Sequence, residues 1–112
     1  MISRQKQIHQ LLRRLQALGE RAIPGSLVEV LLTCGTPTCG CHQDPPRRHG
    51  PHLYLRYRDE KGRSRSMYVP RSHEGEVRKA VEAWGGMWET MLELSQNHRE
   101  AFRERLRRRA RS

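Results

Sequence analysis

Both ends of the chain carry apolar residues at the spacing of an amphipathic helix. In residues 2–18 the apolar positions recur at intervals of three and four, with Ser3 placed to cap a helix and Gly19 to end it. From Ser72 onward a second, longer stripe follows four-and-three spacing, and its members are Val77, Val81, Trp84, Trp88, Met91, Ser95, His98 and Phe102. We expect two helices, with the long stripe packed on the N-terminal helix of the same or another chain.

Between the helices the pattern changes to that of strands. Residues 26–33 are β-branched and apolar and predict one strand. Residues 52–58 and 63–69 alternate on either side of the four-residue turn DEKG, which predicts a β-hairpin. The expected fold is therefore α+β, in three segments: residues 1–24, an N-terminal helix and connector; residues 25–71, a zinc-stapled hairpin module; and residues 72–112, a long helix with an arginine-rich tail.

A four-residue turn also predicts the register of the hairpin. Arg58 would face Arg63 and Arg56 would face Arg65, so that strand alternation places all four arginines on one face. Like charges directly opposite each other destabilise a hairpin unless an anion lies between them. This register therefore predicts a cationic patch that binds phosphate.

The charge of the chain supports such a partner. Its net charge is +10, and basic blocks at residues 1–24, 42–71 and 99–112 surround an acidic stretch at residues 72–98. A planar guanidinium holds phosphate through two donors, and a cationic surface attracts any polyanion. The candidate nucleic-acid contacts are Arg47, Arg48, Arg56, Arg58, Arg63, Arg65, Arg105, Arg107, Arg108 and Arg109.

All three cysteines lie within CGTPTCGC, at positions 34, 39 and 41. An odd, crowded set of thiols is unsuited to disulfides and is typical of a metal site, and Cys3His is a common zinc set. Cys34, Cys39 and Cys41 are the candidate ligands. The fourth would come from His49, where Gly50 and Pro51 turn the chain away, or else from His52 or His42. The alternative is three reduced cysteines in a tight turn without metal.

Catalysis is not expected. A catalytic zinc keeps an open position beside a general base, and no H-E-x-x-H or H-x-E…C-x-x-C pattern is present. The basic, amphipathic N-terminus resembles no signal peptide, and no apolar run has the length of a membrane span, so we expect a cytoplasmic protein without a small-molecule substrate.

A resemblance adds to this interpretation. CGTPTCGC, HGPHLYLRYRDEKGRSRSMYVP and the helix that follows resemble a family of small uncharacterised bacterial and phage proteins, from Gly25 to about Phe102. The resemblance implies the same architecture and suggests Cys34, Cys39, Cys41 and His49 as the metal set. It implies no activity.

The sequence thus predicts a small zinc-stabilised nucleic-acid-binding protein, an accessory subunit of a nucleoprotein complex. Only 35% of its residues are apolar, which is little for a core in 112 residues, so a metal or a second chain would supplement it. The alternative function is a protein-interaction adaptor or oligomerisation module that docks on a larger enzyme. In either case we expect a homo-oligomer or a larger complex, with Trp84, Trp88, Met91 and Phe102 at the interface.

Overall fold

The structure, a computed structural model, describes residues 2–32, 38–42 and 49–111, and of Cys41 and His49 it describes only the backbone. The predicted α+β fold is confirmed: an N-terminal helix, a three-stranded antiparallel sheet and a long C-terminal helix follow one another. The elements are α1 (Arg4–Gly19), β1 (Ser26–Leu32), β2 (His49–Arg58), β3 (Ser64–Val69) and α2 (Glu74–Arg111), with 3-10 turns at Gly40–His42 and Arg71–His73. Among the described residues no helix is long and apolar enough to cross a bilayer.

The chain divides into two compact units. Met1–Ile23 with Glu82–Ser112 forms one, here called the helical unit, and Pro24–Val81 forms the other, here called the sheet unit. Helix α2 therefore contributes its first two turns to the sheet unit and the remainder to the helical unit.

The sheet unit has strand order β1-β2-β3 and one buried face. Alternation along β2 points Leu53 and Leu55 into a core that Val69 of β3 and Val77 of α2 complete. Leu27, Tyr57 and Val81 pack around that core. The first two turns of α2 thus cover one face of the sheet, and the opposite face lies away from this helix.

The predicted hairpin register is wrong by one residue. Arg58 pairs with Ser64 and Arg56 with Ser66, because the connection runs over five residues, 59–63, and not over four. The turn closes through the Asp59 N–H, which donates to the Arg63 carbonyl at 3.0 Å, and Gly62 adopts a φ of +77° that favours glycine. Relative to β2, a shift of one residue places every side chain of β3 on the opposite face of the sheet from the predicted one. The four arginines therefore do not share a face.

In the helical unit α1 runs antiparallel to α2. Ser3 caps α1 as predicted, and its hydroxyl accepts a hydrogen bond from the Lys6 N–H at 3.3 Å. At that end Arg4 binds Glu104, with Nη1–Oε2 and Nη2–Oε1 distances of 2.7 and 3.0 Å. At the other end the Leu18 side chain packs against Gly86.

The face of α2 that packs on α1 is not the predicted stripe. Ala83, Thr90 and Leu94 are buried instead, each one position before a member of that stripe, and the Thr90 hydroxyl donates to the Gly86 carbonyl at 2.7 Å. Small residues here permit a close approach of the two helices, which indole rings would prevent. Of the two expected arrangements, packing of Trp84 and Trp88 on α1 of the same chain is therefore wrong, and packing on another chain stays a prediction.

Candidate nucleic-acid interface and metal centre

The sheet face opposite the core, here called the open face, carries a row of cation and hydroxyl groups. Antiparallel pairing places Ser26 of β1, Arg56 of β2 and Ser66 of β3 side by side across all three strands. All three are exposed, and the Arg56 guanidinium makes no hydrogen bond or ion pair with any described residue. A row of unused donors of this kind suits a phosphate oxygen.

The next row of the open face is aromatic. Tyr54 pairs with Tyr68 beside Val28, and the two rings meet edge to face with centroids 5.7 Å apart. The His52 ring continues the group, 6.0 Å from the Tyr68 ring. Positions two residues apart on a strand are separated by about 6.7 Å, so the rings lie one step from Arg56. A cationic row and an aromatic row therefore lie side by side on the open face.

Of the remaining hairpin arginines, Arg63 and Arg65 bind Asp59, and Arg58 binds the backbone of the turn. The Asp59 Oδ2 atom accepts from Nε of Arg63 and from Nε of Arg65, each at 3.1 Å, while Arg58 Nη1 donates to the Gly62 carbonyl at 2.9 Å. The backbone N–H of Arg63, the Arg65 side chain and the Lys61 N–H hold the pKa of Asp59 below its usual value. Asp59 thus stays anionic and orients arginines whose remaining donors face solvent.

A shallow depression joins these groups at the end of the sheet. Its volume is about 600 Å³, and it is lined by Gly25, Ser26, Arg56, Tyr57, Arg58, Ser64, Arg65 and Ser66. The observed register therefore brings Arg56, Arg58 and Arg65 to one rim even though they lie on two faces. Three arginines and three serines in this lining offer hydrogen-bond donors to an anion.

The other candidate arginines are placed differently. Arg47 and Arg48 lie outside the described residues. Arg105, Arg107, Arg108 and Arg109 occupy the exposed last turns of α2 in the helical unit, where the Arg105 guanidinium carbon lies 5.5 Å from the centroid of the Phe102 ring.

The candidate metal ligands are only partly described. Cys34 lies outside the described residues, Cys39 is half-buried, and Cys41 belongs to the 3-10 turn in which the His42 N–H donates to the Cys39 carbonyl at 3.0 Å. Within the described residues no three His, Cys, Asp or Glu side chains converge on one point. The strand pairing sets His49 opposite Leu32, so the segment that carries the cysteines begins and ends on adjacent strands.

Sequence reasoning missed the aromatic row and the role of Asp59. The predicted register assigned Tyr68 to the leucine face, and only the one-residue shift brings it beside Tyr54.

The candidate interface residues on α2 form one stripe, as the sequence predicts, and all four are exposed: Trp84, Trp88, Met91 and Phe102.

Comparison with known protein families finds a match over most of the chain. A family model described as Domain of unknown function (DUF6788) matches residues 3–79. The match includes α1, the sheet and the first turns of α2, so it begins earlier and ends earlier than the resemblance seen in the sequence. No curated protein and no solved structure matches the chain.

Proposed function

The chain belongs to this family of unknown function, so its activity must be argued from its own residues, and we propose that it binds single-stranded nucleic acid on the open face of its sheet. The observation that carries the proposal is the juxtaposition of the Ser26–Arg56–Ser66 row with the Tyr54–Tyr68 pair. We further propose that it does so as an accessory subunit of a nucleoprotein complex, by binding alone and without catalysis.

Phosphate groups would be held by Arg56 and by the arginines around Asp59. The Arg56 guanidinium has no partner among the described residues, and the serines on either side add hydroxyl donors. The net charge of +10 attracts a polyanion from a distance and makes the affinity fall with salt.

The aromatic row favours single strands over duplexes. Unpaired bases expose their faces and stack on tyrosine or histidine rings, whereas the bases of a duplex are already stacked on each other. Binding of the hairpin in a duplex groove would use four arginines on one face of the hairpin. The observed register places them on different faces. The open face instead offers rings and cations at adjacent positions, which is the usual composition of a single-strand site.

We propose that zinc stabilises the sheet unit through Cys34, Cys39, Cys41 and His49. The pairing of Leu32 with His49 supports this set, because it closes the cysteine segment at its base and limits how far its ends can separate. Three thiolates and one imidazole would complete a closed tetrahedral site, which stabilises a fold and leaves no open position for a substrate.

The proposal is tested by fluorescence anisotropy with labelled single-stranded and duplex DNA and RNA over a salt series. Wild-type protein should bind single strands more tightly than duplexes. Arg56→Ala should lower the slope of log affinity against log salt by about 0.7 for single strands, the value for one lost phosphate contact. Arg78→Ala is the matched control, since it removes the same charge from an arginine that already binds Glu29 at 3.3 Å.

The two variants separate local contact from general charge. Equal losses for Arg56→Ala and Arg78→Ala would mean that net charge alone attracts the nucleic acid, and the open face would not be the site. Wild-type protein that binds no strand at any salt concentration would eliminate the proposal.

A second candidate function rests on a different observation. Trp84, Trp88, Met91 and Phe102 are exposed apolar residues of α2. Contiguous exposed apolar patches mark association surfaces, so these residues favour a protein-interaction adaptor. The two functions are compatible, since they use different units of the chain.

A further inference from the structure

The depression at the end of the open face is lined by arginines and serines from all three strands. Strand pairing sets Ser26 of β1 and Ser66 of β3 on either side of Arg56. In the next row Ser64 lies opposite Arg58. Alternation places these five exposed residues on the same face. Because Arg56 and Arg58 are two positions apart, about 6.7 Å along β2, both guanidinium groups can reach one ligand.

The hydrogen-bonding groups of the depression are largely unused within the described part of the chain. Arg56 makes no hydrogen bond or ion pair there, and Arg58 uses Nη1 alone, which donates to the Gly62 carbonyl at 2.9 Å. That contact ties Arg58 to the turn and leaves its Nε and Nη2 atoms for a ligand. The three serine hydroxyls likewise have no partner among the residues that the structure describes. Two guanidinium groups and three hydroxyls are therefore available to one anion.

Gly25 allows β1 to begin this close to Arg56. Its φ is +139°, and a Cβ built on it would lie 2.6 Å from the Arg56 carbonyl oxygen. Any other residue would push β1 away from β2 at this point. Glycine thus keeps the Ser26 hydroxyl beside the Arg56 side chain, on the rim of the depression.

The charge of the depression matches a phosphate monoester more closely than an internal phosphate of a strand. An internal phosphodiester carries about one negative charge, whereas a monoester carries about 1.5 to 2 charges at neutral pH and has three acceptor oxygens. Arg56 and Arg58 supply two positive charges. Arg65, the third arginine of the lining, is already paired with Asp59, with an Nε–Oδ2 distance of 3.1 Å. The two unpaired arginines thus balance a monoester.

The position of the depression also suits the end of a strand. Along the open face the Tyr54–Tyr68 row comes first, Arg56 follows, and Arg58 is the last paired residue of β2. Beyond it the chain enters the turn, whose residues 59–62 include two acids and one lysine. A strand whose bases stack on the tyrosines would therefore reach the end of its cationic path at Arg58.

We propose that this depression binds the phosphate monoester at the end of a single strand, a 5′-phosphate or a 3′-phosphate. The inference rests on the proposed function, since the strand itself lies on the tyrosine row. Arg56 binds the phosphate on the side of the tyrosines, and Arg58, held by the Gly62 carbonyl, binds it on the side of the turn. The serine hydroxyls donate to its remaining oxygens, and no bond is made or broken.

Three oligonucleotides of one sequence test this inference: one with a 5′-phosphate, one with a 3′-phosphate and one with hydroxyls at both ends. Each carries an internal fluorophore, and fluorescence anisotropy gives its Kd for the full-length protein at a fixed salt concentration. A phosphorylated strand should bind about tenfold more tightly than the hydroxyl strand, as expected of one charge-assisted hydrogen bond. The end that gives the gain identifies the source of the monoester.

Variants at the turn show whether the depression causes this preference. Arg58→Ala should abolish the preference and retain most of the affinity for the hydroxyl strand. Lys61→Ala is the matched control and should keep it, because Lys61 lies outside the lining and alanine retains the N–H that donates to Asp59 at 2.9 Å. Ser64→Ala leaves the contact of Arg58 with the turn intact and should reduce the preference in part.

The outcomes separate this inference from the proposed function. Equal affinities of wild-type protein for the three strands would overturn recognition of the terminal phosphate and leave binding on the open face standing. A preference that persists in Arg58→Ala, or that falls equally in Lys61→Ala, would overturn it as well, since general charge would then be the cause. Failure to bind any of the strands would overturn both.

Discussion

Tyr54 on β2 lies directly opposite Tyr68 on β3, and their rings meet edge to face with centroids 5.7 Å apart at an interplanar angle of 62°. This contact exists only in the observed register of the hairpin. It also sets an aromatic pair one row from Arg56 on the open face, which links the register to the proposed site.

Tyr68 provides the sharpest test of base stacking. Tyr68→Ala should weaken the binding of single strands by about 1–3 kcal/mol, the usual contribution of one stacked base, or roughly 5- to 150-fold in Kd. Duplex binding should change little. Met67→Ala is the control, because Met67 is also 51% exposed but lies on the opposite face of the sheet. Equal losses from the two variants would contradict stacking on the open face.

Metal content tests the proposed zinc site. Purified protein should contain about one zinc per chain by elemental analysis, and Cys39→Ser should lose the metal and much of the thermal stability, because structural zinc contributes directly to folding. His49→Ala should also lose zinc, whereas His42→Ala should retain it. Folded protein without metal under reducing conditions would contradict the site, and the opposite result for the two histidines would reassign the fourth ligand.

The ion pair between Arg4 and Glu104 predicts a dependence of stability on pH. The side-chain hydrogen bonds from Arg4 hold the pKa of Glu104 below its usual value of 4.5. A lowered carboxyl pKa stabilises the fold above 4.5, and this contribution is lost as the pH falls through the folded-state pKa. Glu104→Gln should therefore lower the Tm at neutral pH.

The difference in Tm between wild type and Glu104→Gln should shrink progressively below pH 4.5. Glu89→Gln, at an exposed position of the same helix, serves as the control and should change the Tm less at every pH. A difference for Glu104→Gln that is independent of pH would show that the ion pair does not stabilise the helical unit.

Two neighbouring glycines of α2 should respond differently to alanine. Nothing lies within 4 Å of a Cβ built on Gly85, so Gly85→Ala should stabilise the protein by about 0.5–1 kcal/mol through helix propensity alone. A Cβ on Gly86 would lie 3.1 Å from Cδ1 of Leu18, so that side chain must shift and Gly86→Ala should gain less or lose stability. Denaturant unfolding of both variants measures the difference, and equal gains would show that α1 does not approach α2 at Gly86.

Local patterns in the sequence determined the elements of this protein. Ser3, a residue whose hydroxyl caps a helix, begins α1, and Gly19 is its last residue. Alternation along β2 places Leu53 and Leu55 on the buried face, and the hairpin lies where its turn residues predict it. These features depend on residues within a few positions of each other, so a single sequence is sufficient to predict them.

Two features of this protein, the register of the hairpin and the buried face of α2, depend on tertiary contacts. The Asp59 carboxylate, through hydrogen bonds to Lys61 and Arg63, fixes a five-residue turn, and that one additional residue moved Tyr68 onto the face of Arg56. On α2 two stripes at the same spacing lie side by side, and helical periodicity alone does not show which of them is buried. Close packing decides which stripe is buried, because α1 approaches the small residues around Gly86 and leaves the larger indoles of Trp84 and Trp88 exposed.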